Sequence, residues 1–253
     1  MEHDLQKASL WKRVSAGLFD GMLTAVLAVG IAFLLSLILD YDGQNAKLNQ
    51  AYADYETQYG VTFDISGEAY QAMTEEERAN YDAAYNALIQ DEEAMYTYNL
   101  VVNLMLVITS ISILVGIVVM EFVIPLFLKN GQTLGKKVFG ICLMRNDSVA
   151  MNTMQLFTRT VLGKFAIETM VPVYVCLMLF MGAADLFSLL LLAAVIIAQL
   201  VIVAVTRNNS LIHDLLAGTV VVDYVSQQIF LTTEDLIEHK KRVAAERAAR
   251  EKY

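Results

Sequence analysis

The sequence predicts an all-α membrane protein with four transmembrane helices and an extracytoplasmic helical hairpin between the first and second spans. Three observations support this fold class. Hydrophobic residues make up 57% of the 253 residues, and the mean hydropathy is +0.49. The apolar residues are gathered into four runs near the length of about 20 residues that crosses a bilayer as a helix. Lys and Arg cluster in some connections and acids in another, which indicates a fixed orientation in a membrane.

The chain begins with a short segment, residues 1–13, and enters the first predicted span at residues 14–39. This apolar stretch exceeds the roughly 7–15 residues of a secretory signal, and no small-x-small cleavage site follows it. We therefore interpret it as a retained span. Its most informative residue is Asp20, because a carboxylate within lipid costs several kcal/mol unless a partner or water meets it.

The connection at residues 40–97 is strongly acidic, and Lys47 and Arg78 are its only basic residues. We expect it to lie outside the cytoplasm as an inserted helical unit. Two interpretations of its role remain open. It is either an antechamber that raises the local cation concentration or a helical surface whose acids are simply solvated.

Two helices are predicted within this acidic segment. Apolar and aromatic positions between Leu48 and Tyr59 recur at helical spacing. Thr74 and Glu77 form the pattern of a capping box, which predicts the start of the second helix. Residues 60–66 between the two helices are typical of an extended turn.

Three further spans follow. The second, residues 98–128, contains Glu121, and the third, residues 165–182, is short and carries Glu168 near its start. The fourth, residues 186–206, has the purest apolar composition. Only a tight turn fits between the last two spans, so we expect them to form a helical hairpin.

The loop at residues 129–164 connects the second and third spans. Its segment 131–137 resembles a phosphate-binding loop, but the glycine spacing is one residue short and no Ser or Thr follows the lysines, so nucleotide binding is not expected. The alternation in residues 138–144 predicts a short strand at the membrane surface. Residues 154–164 are typical of an amphipathic approach to the third span.

The tail, residues 207–253, opens with a short amphipathic stretch around His213 and Asp214 and ends in a charged, alanine-rich helix from about Thr232. That helix either docks on a partner or anionic lipid or is plainly solvated. His213 is a further candidate for proton handling. The two cysteines, Cys142 and Cys176, have no metal or disulfide spacing and are interpreted as small apolar packing residues.

Basic residues near span ends indicate the cytoplasmic side. This rule places both termini and the loop 129–164 in the cytoplasm and the acidic segment 40–97 outside. The residues that carry this assignment are Lys7, Lys12, Arg13, Lys129, Lys136, Lys137, Arg145, Arg159, Lys164, Arg207, Lys240, Lys241, Arg242, Arg247, Arg250 and Lys252.

Four motifs follow one another in the sequence: Arg13-x-x-Ala16-x-x-x-Asp20, Gly131-Gln-Thr-Leu-Gly-Lys-Lys137, Arg159, and His213-Asp214-Leu-Leu-Ala-Gly-Thr-Val-Val221. In this order they resemble the RDD family, which is named for one arginine and two aspartates in a bacterial membrane domain.

The resemblance covers residues of about 10–40 and 98–225 and leaves the acidic segment as an insertion. It assigns the name-giving roles to Arg13, Asp20 and Asp214. It implies a multi-pass protein of the bacterial inner membrane with a proposed transport role, which for some members is cation–proton exchange.

The polar residues form a predicted cluster. Arg13 and Asp20 share a helix face but lie roughly 10 Å apart along it, so Asp20 needs a partner from Arg159 or from the Arg13 of a neighbouring copy. Glu121 lies at a similar depth, and Asp20 and Glu121 together could share a proton or hold a cation. The alternative is an arginine bridge to Asp20 that only locks the bundle. Asp214 either caps a turn or pairs with Arg13.

Small residues around Asp20 predict that it faces protein rather than lipid. Gly17 and Gly21 bracket it, and Thr24 and Ala28 continue the pattern, which permits close approach of another helix.

We therefore predict transport of ions or small solutes that uses intramembrane carboxylates. The alternative is a non-transporting scaffold or regulator whose outer hairpin and tail bind partners. An enzyme is not expected, since no catalytic triad order appears, and the histidines His3, His213 and His239 are too scattered for a metal site. The expected partners are the lipid bilayer, further copies of the chain or another membrane protein, and a monovalent cation or proton; no cofactor or nucleic acid is expected.

Overall fold

The computed structural model describes residues 6–128 and 130–250 and is mainly helical. Predictions that lie wholly or partly outside the described residues are those for segments 1–13, 129–164 and 207–253 and for His3, Lys129 and Lys252.

The chain divides into two compact units. The membrane unit joins residues 1–28 to residues 113–253, and the acidic unit holds residues 29–112. The division falls within two of the long helices, and each unit is described separately below.

Within the described residues, four helices are long and apolar enough to cross a membrane, as many as the sequence predicts. Many of their apolar side chains are exposed, a surface that lipid rather than water would cover. We name them span helix 1 (Leu10–Ile38), span helix 2 (Glu92–Leu128), span helix 3 (Thr153–Phe180) and span helix 4 (Leu186–Val205).

Two of these helices contain π-helical segments. Span helix 2 consists of α-helix Glu92–Val118, π-helix Val119–Val123 and α-helix Ile124–Leu128. Span helix 3 consists of α-helix Thr153–Phe157, π-helix Thr158–Met170 and α-helix Val171–Phe180. The π-helices hold Glu121 of span helix 2 and the three charged residues of span helix 3, Arg159, Lys164 and Glu168. Such turns occur frequently at functional sites.

Span helix 3 begins at Thr153, so the predicted amphipathic approach and the third span form one helix. Asn152 caps its first turn by accepting a hydrogen bond from the backbone N–H of Gln155. Span helix 4 follows a tight turn, and Asp185 with Ser188 forms a capping box at its start. Span helices 3 and 4 are therefore joined by residues 181–185, as the predicted hairpin requires.

A small antiparallel sheet makes the fold mostly helical rather than all-α. Strand β1 (Ile141–Arg145) confirms the predicted strand, and it pairs with β2 (Thr219–Asp223), which sequence reasoning did not predict. Cross-strand neighbours include Leu143 and Val221. Both faces of the pair are buried, one against Ala8 and Ala16. The two-stranded sheet is thus the core of the membrane unit outside the spans.

Two short helices flank these strands, and a longer one ends the described chain. Leu134–Val138 precedes β1, and Ile212–Ala217 precedes β2 across Gly218, whose φ of 63° suits the left-handed turn. The predicted charged helix is present at Thr233–Arg250. It is anchored through Leu236, which packs with Val149 and Phe230.

The acidic unit contains helices Tyr41–Tyr59, Gly67–Ala72 and Glu75–Gln90. The capping box of Thr74 and Glu77 is confirmed. The short middle helix was not predicted. It begins directly after the predicted turn at residues 60–66, and Ser66, the last residue of that turn, caps it. Phe63 packs edge-on against Tyr52 and Tyr81, so this connection joins the first and last helices through aromatic contacts.

Candidate functional site

Asp20 is buried against the loop that connects span helices 2 and 3. It is 1% exposed, and its carboxylate accepts hydrogen bonds from the Thr133 hydroxyl at 2.5 Å and from the Gly135 backbone N–H at 2.7 Å. The expected ion pair of Asp20 with Arg159 is therefore wrong within the chain, because Arg159 binds Asp214 instead, as does Arg13.

The loop reaches Asp20 because it lacks a side chain at Gly135. A Cβ at this position would lie 2.9 Å from Asp20 Oδ1 and would also strike the backbone oxygen of Ala16. Thr133 caps the helix Leu134–Val138 by accepting the backbone N–H of Lys136 at 3.2 Å. The segment that resembled a phosphate-binding loop thus surrounds a carboxylate of the protein itself.

The small-residue pattern around Asp20 is used differently from the prediction. An added Cβ at Gly17 or Gly21 would meet nothing within 4 Å, so neither glycine supports a close approach within the chain. The contact forms one to two turns later, where Gly116 of span helix 2 lies against Thr24 and Ala28.

Glu121 lies in the π-helix of span helix 2 and is 5% exposed. It pairs with Lys136 at 3.4 Å and, at closer range, with Lys164 of span helix 3. Lys136 Nζ also lies 3.3 Å from the Thr133 hydroxyl, which in turn donates to Asp20. The structure therefore links Glu121 and Asp20 through Lys136 and Thr133 rather than through a shared proton.

Burial lowers the pKa of Lys136 below its ordinary value, and Glu121 acts in the opposite direction. A buried ammonium without a carboxylate partner would be strongly unfavourable. Glu121 is thus the group that makes a buried, charged Lys136 tolerable.

Asp214 gathers both predicted arginines. Its carboxylate lies 3.1 Å from Arg13 Nη2 of span helix 1 and 3.1 Å from Arg159 Nη2 of span helix 3, and the residue is 1% exposed. Burial alone would raise the pKa of Asp214, but Arg159 and Arg13 outweigh it and hold the pKa below its usual range. Asp214 is therefore ionised and joins two spans to the helix Ile212–Ala217.

His213 stands between an acid and a base of span helix 3. Its Nδ1 lies 2.6 Å from Glu168, and its Nε2 lies 2.7 Å from Arg159 Nη2. A guanidinium can only donate, so Nε2 accepts and the ring proton on Nδ1 is donated to Glu168. Burial, with Arg159 as the next cause, lowers the pKa of His213. The imidazole is accordingly neutral in this arrangement.

Close packing fixes this histidine. A Cβ at Gly163 would lie 2.5 Å from the His213 Cβ and 2.6 Å from its Cα, so only glycine fits against His213. Glu168 also accepts the backbone N–H of His213 at 3.1 Å. The helix Ile212–Ala217 and span helix 3 therefore meet in one geometry.

Arg159 retains unused hydrogen-bonding capacity. Its Nε and Nη1 atoms are buried and have no hydrogen-bond partner in the described part of the chain. Both Asp214 and His213 are served by the same atom, Nη2. One edge of a buried guanidinium is thus free to take another acceptor.

Five predicted site residues therefore fall into two neighbouring groups. Arg13, Arg159 and Asp214 come together, whereas Asp20 and Glu121 join the loop through other partners. Sequence reasoning missed five site residues, Thr133, Gly135, Lys136, Lys164 and Glu168. Charged residues recur at Arg159, Lys164 and Glu168, every four or five residues in the sequence. This spacing could have indicated that Lys164 and Glu168 lie on the same helix face as Arg159.

A model of the RDD family matches residues 7–218, a range that includes every residue of both groups. No match is found among curated proteins or among solved structures.

Proposed function

The chain belongs to the RDD family, and we propose that it moves a monovalent cation across the membrane in exchange for protons. The group of His213, Glu168, Arg159 and Asp214, here the switch group, takes and releases the proton. Lys136, Glu121 and Asp20 hold the neighbouring loop in place. Ionisable groups at membrane depth are costly, and they commonly mark proton relays in transporters.

One observation carries this proposal: a neutral, buried histidine accepts a hydrogen bond from a buried arginine that has spare donors. When His213 takes a proton on Nε2, that nitrogen becomes a donor and the contact with Arg159 turns repulsive. Arg159 then keeps Asp214 and turns its free edge toward another acceptor.

This exchange of partners would reach other parts of the membrane unit. Span helix 3 packs on the helix Ile212–Ala217 through His213, and Asp214 connects the same helix to Arg13 of span helix 1. Proton uptake therefore loosens a junction that holds two spans. Such coupling between protonation and helix packing is what an exchanger requires.

The alternative is a non-transporting scaffold or regulator, and a specific observation favours it. Every carboxylate of the site already has a partner: Asp20 has Thr133 and Gly135, Glu121 has two lysines, and Asp214 has two arginines. Such saturation is what a permanent lock between helices would need. The acidic unit and the helix Thr233–Arg250 would then bind partners.

A proteoliposome assay separates the two functions. Vesicles loaded with a pH-sensitive dye receive sodium or potassium. The parent is compared with His213→Gln and with the matched control His239→Gln, which changes a half-buried histidine on the terminal helix Thr233–Arg250. Exchange predicts a dye response in the parent and in His239→Gln and its loss in His213→Gln. No response to either ion in the parent would support the scaffold.

The carboxylates are tested in the same assay. Asp20→Asn and Glu121→Gln remove one charge each, and exchange through this site predicts reduced flux in both. Flux equal to the parent in both variants would eliminate the role of the carboxylates.

We further propose that the termini lie in the cytoplasm of a bacterial cell, that the acidic segment lies outside the inner membrane, and that copies of the chain associate. The distribution of basic residues supports the orientation, and four spans alone enclose little space. Impermeant thiol labelling of intact cells tests the orientation. Asn49→Cys should react and Ala244→Cys should not, and the opposite pattern would reverse the assignment.

A further inference from the structure

A cavity of about 180 Å³ lies within the acidic unit, between its first and last helices and the start of span helix 2. Three tyrosines, Tyr52, Tyr85 and Tyr98, line it together with apolar side chains that include Leu48, Leu88 and Met95. Cavities on the order of 150 Å³ hold a molecule of the size of benzene. The space therefore suits a compact ligand of a few heavy atoms.

The three phenol groups are close neighbours. Burial raises the pKa of Tyr52, and Tyr98 and Tyr85 raise it further. The hydroxyls of Tyr55 and Tyr70 in the same unit are hydrogen-bonded to Asp91 and Asp82, and neither of these tyrosines lines the cavity. The lining residues themselves are tyrosines and apolar side chains, so the cavity offers a ligand mainly aromatic and apolar surface.

The floor and the rim of the cavity differ in exposure. Leu48, Leu88 and Ala94 are buried, whereas Tyr85 is 50% exposed and Ile89 is 41% exposed. The cavity is accordingly open on the side of Tyr85 and Ile89. A ligand can enter there without unfolding the unit.

The charge of the surrounding segment selects the sign of that ligand. Residues 40–97 contain thirteen acidic and two basic residues, a net charge of −11. Most of these acids are exposed, so the unit attracts cations from solution. An apolar cavity excludes a fully hydrated metal ion, but it accepts a cation that carries its own apolar groups.

We propose that the acidic unit binds a small organic cation of the quaternary ammonium class in this tyrosine-lined cavity. Tyrosine rings attract such cations through their negative faces, and aromatic cages are a common way to recognise them. The methyl groups of the ligand contact Leu48, Leu88 and Met95, and the acidic surroundings raise its local concentration. This binding does not require transport.

Calorimetric titration of the full-length protein in detergent tests the proposal. The probes are choline, tetramethylammonium and dimethylbutanol, the uncharged carbon isostere of choline. Binding to aromatic faces predicts that choline binds about tenfold or more tightly than the isostere. Equal affinity for choline and the isostere, or no heat from either cation, would overturn the proposal.

Substitutions at the half-exposed Tyr85 locate the site without disturbing the core. Tyr85→Leu should weaken choline binding about tenfold, and Tyr85→Phe, which keeps the ring, should stay within about threefold of the parent. Tyr96→Leu is the matched control, since Tyr96 is exposed and does not line the cavity. Unchanged affinity in Tyr85→Leu would contradict the assignment even if choline binds elsewhere. Ion flux measured in parallel shows whether the exchange proposal stands independently.

Discussion

Asp20 of span helix 1 accepts the backbone N–H of Gly135, which lies 115 residues later in the chain. The Thr133 hydroxyl completes the pair of donors. A buried carboxylate that accepts two hydrogen bonds needs no cation beside it, because hydrogen bonds to the charged form stabilise it. The first acidic group of the spans is therefore a clamp for the connecting loop.

Gly135→Ala should release this clamp. The new methyl group would strike the Ala16 carbonyl and the Asp20 carboxylate, and overpacking of this kind costs roughly 1–3 kcal/mol. We expect a lower melting temperature in detergent. Gly17→Ala is the matched control on span helix 1, where open space and the better helix propensity of alanine predict no loss. Equal melting of both variants would show that the loop does not approach Asp20.

The spans could be predicted from the sequence because each one is a local signal. Span helix 4 contains twenty residues without a charge, and no other structure accommodates such a run as well as a helix in lipid. The partner of Asp20 could not be predicted in the same way. One of its two donors is the backbone N–H of Gly135, and every residue except proline carries such a group. The position of this N–H depends on how a distant loop folds back onto span helix 1.

Arg159 and Asp214 should be energetically coupled. Removal of one partner of a buried pair typically costs about 3–5 kcal/mol, because the other charge stays buried. We expect Asp214→Leu to be the more destabilising single change, because it leaves both Arg159 and Arg13 without a carboxylate, whereas Asp214 keeps Arg13 in Arg159→Met. The double variant should cost less than the sum of the two, because Arg159 is then no longer left buried without its carboxylate. Unfolding in a denaturing detergent provides the free energies for this double-mutant cycle.

The exposed pair Arg145 and Asp147 is the control for that cycle. Its atoms lie 2.7 Å apart, closer than those of the buried pair, but the two side chains are 36% and 42% exposed. Exposed pairs contribute at most about 1 kcal/mol. Strictly additive losses at Arg159 and Asp214 would mean that the two side chains do not interact.

The antiparallel pair of β1 and β2 shows a second limit of sequence reasoning. The alternation of side chains in residues 138–144 predicted β1. Residues 220–222 follow a predicted amphipathic stretch and were not assigned to a strand. They form one because Gly218 ends the helix Ile212–Ala217 and turns the chain toward β1. A short strand is recognised from its partner, and here the partner lies some eighty residues away in the sequence.

His213 should make stability depend on pH in the mildly acidic range. Its pKa is lowered by burial and by Arg159, while Glu168 and Asp214 act in the opposite direction. Below the ordinary histidine pKa of about 6.5, the unfolded chain takes up a proton more readily than the folded chain. Folding stability should therefore fall as the pH drops from about 7.5 to about 5.5, and the contribution vanishes at higher pH.

Melting temperatures at several pH values measure this effect. The parent should lose stability over this interval, and His213→Gln should lose distinctly less, because glutamine takes up no proton. His239→Gln should follow the parent, since His239 lies on the helix Thr233–Arg250 and is not part of the switch group. A pH dependence in His213→Gln as steep as in the parent would assign the effect to another residue.

Cys142 should resist alkylation in the folded protein. It lies on β1 opposite Val222, both residues are fully buried, and burial together with Asp223 raises the pKa of the Cys142 thiol to about 12. Only the thiolate reacts with maleimides at a useful rate. In a Cys176→Ser background at a pH of about 8, N-ethylmaleimide should therefore leave Cys142 unmodified in detergent and modify it fully after denaturation, as mass spectrometry would show. Val222→Ala should speed the reaction, because it opens the packing around the thiol. Rapid alkylation of the parent would mean that β1 and β2 do not stay paired in solution.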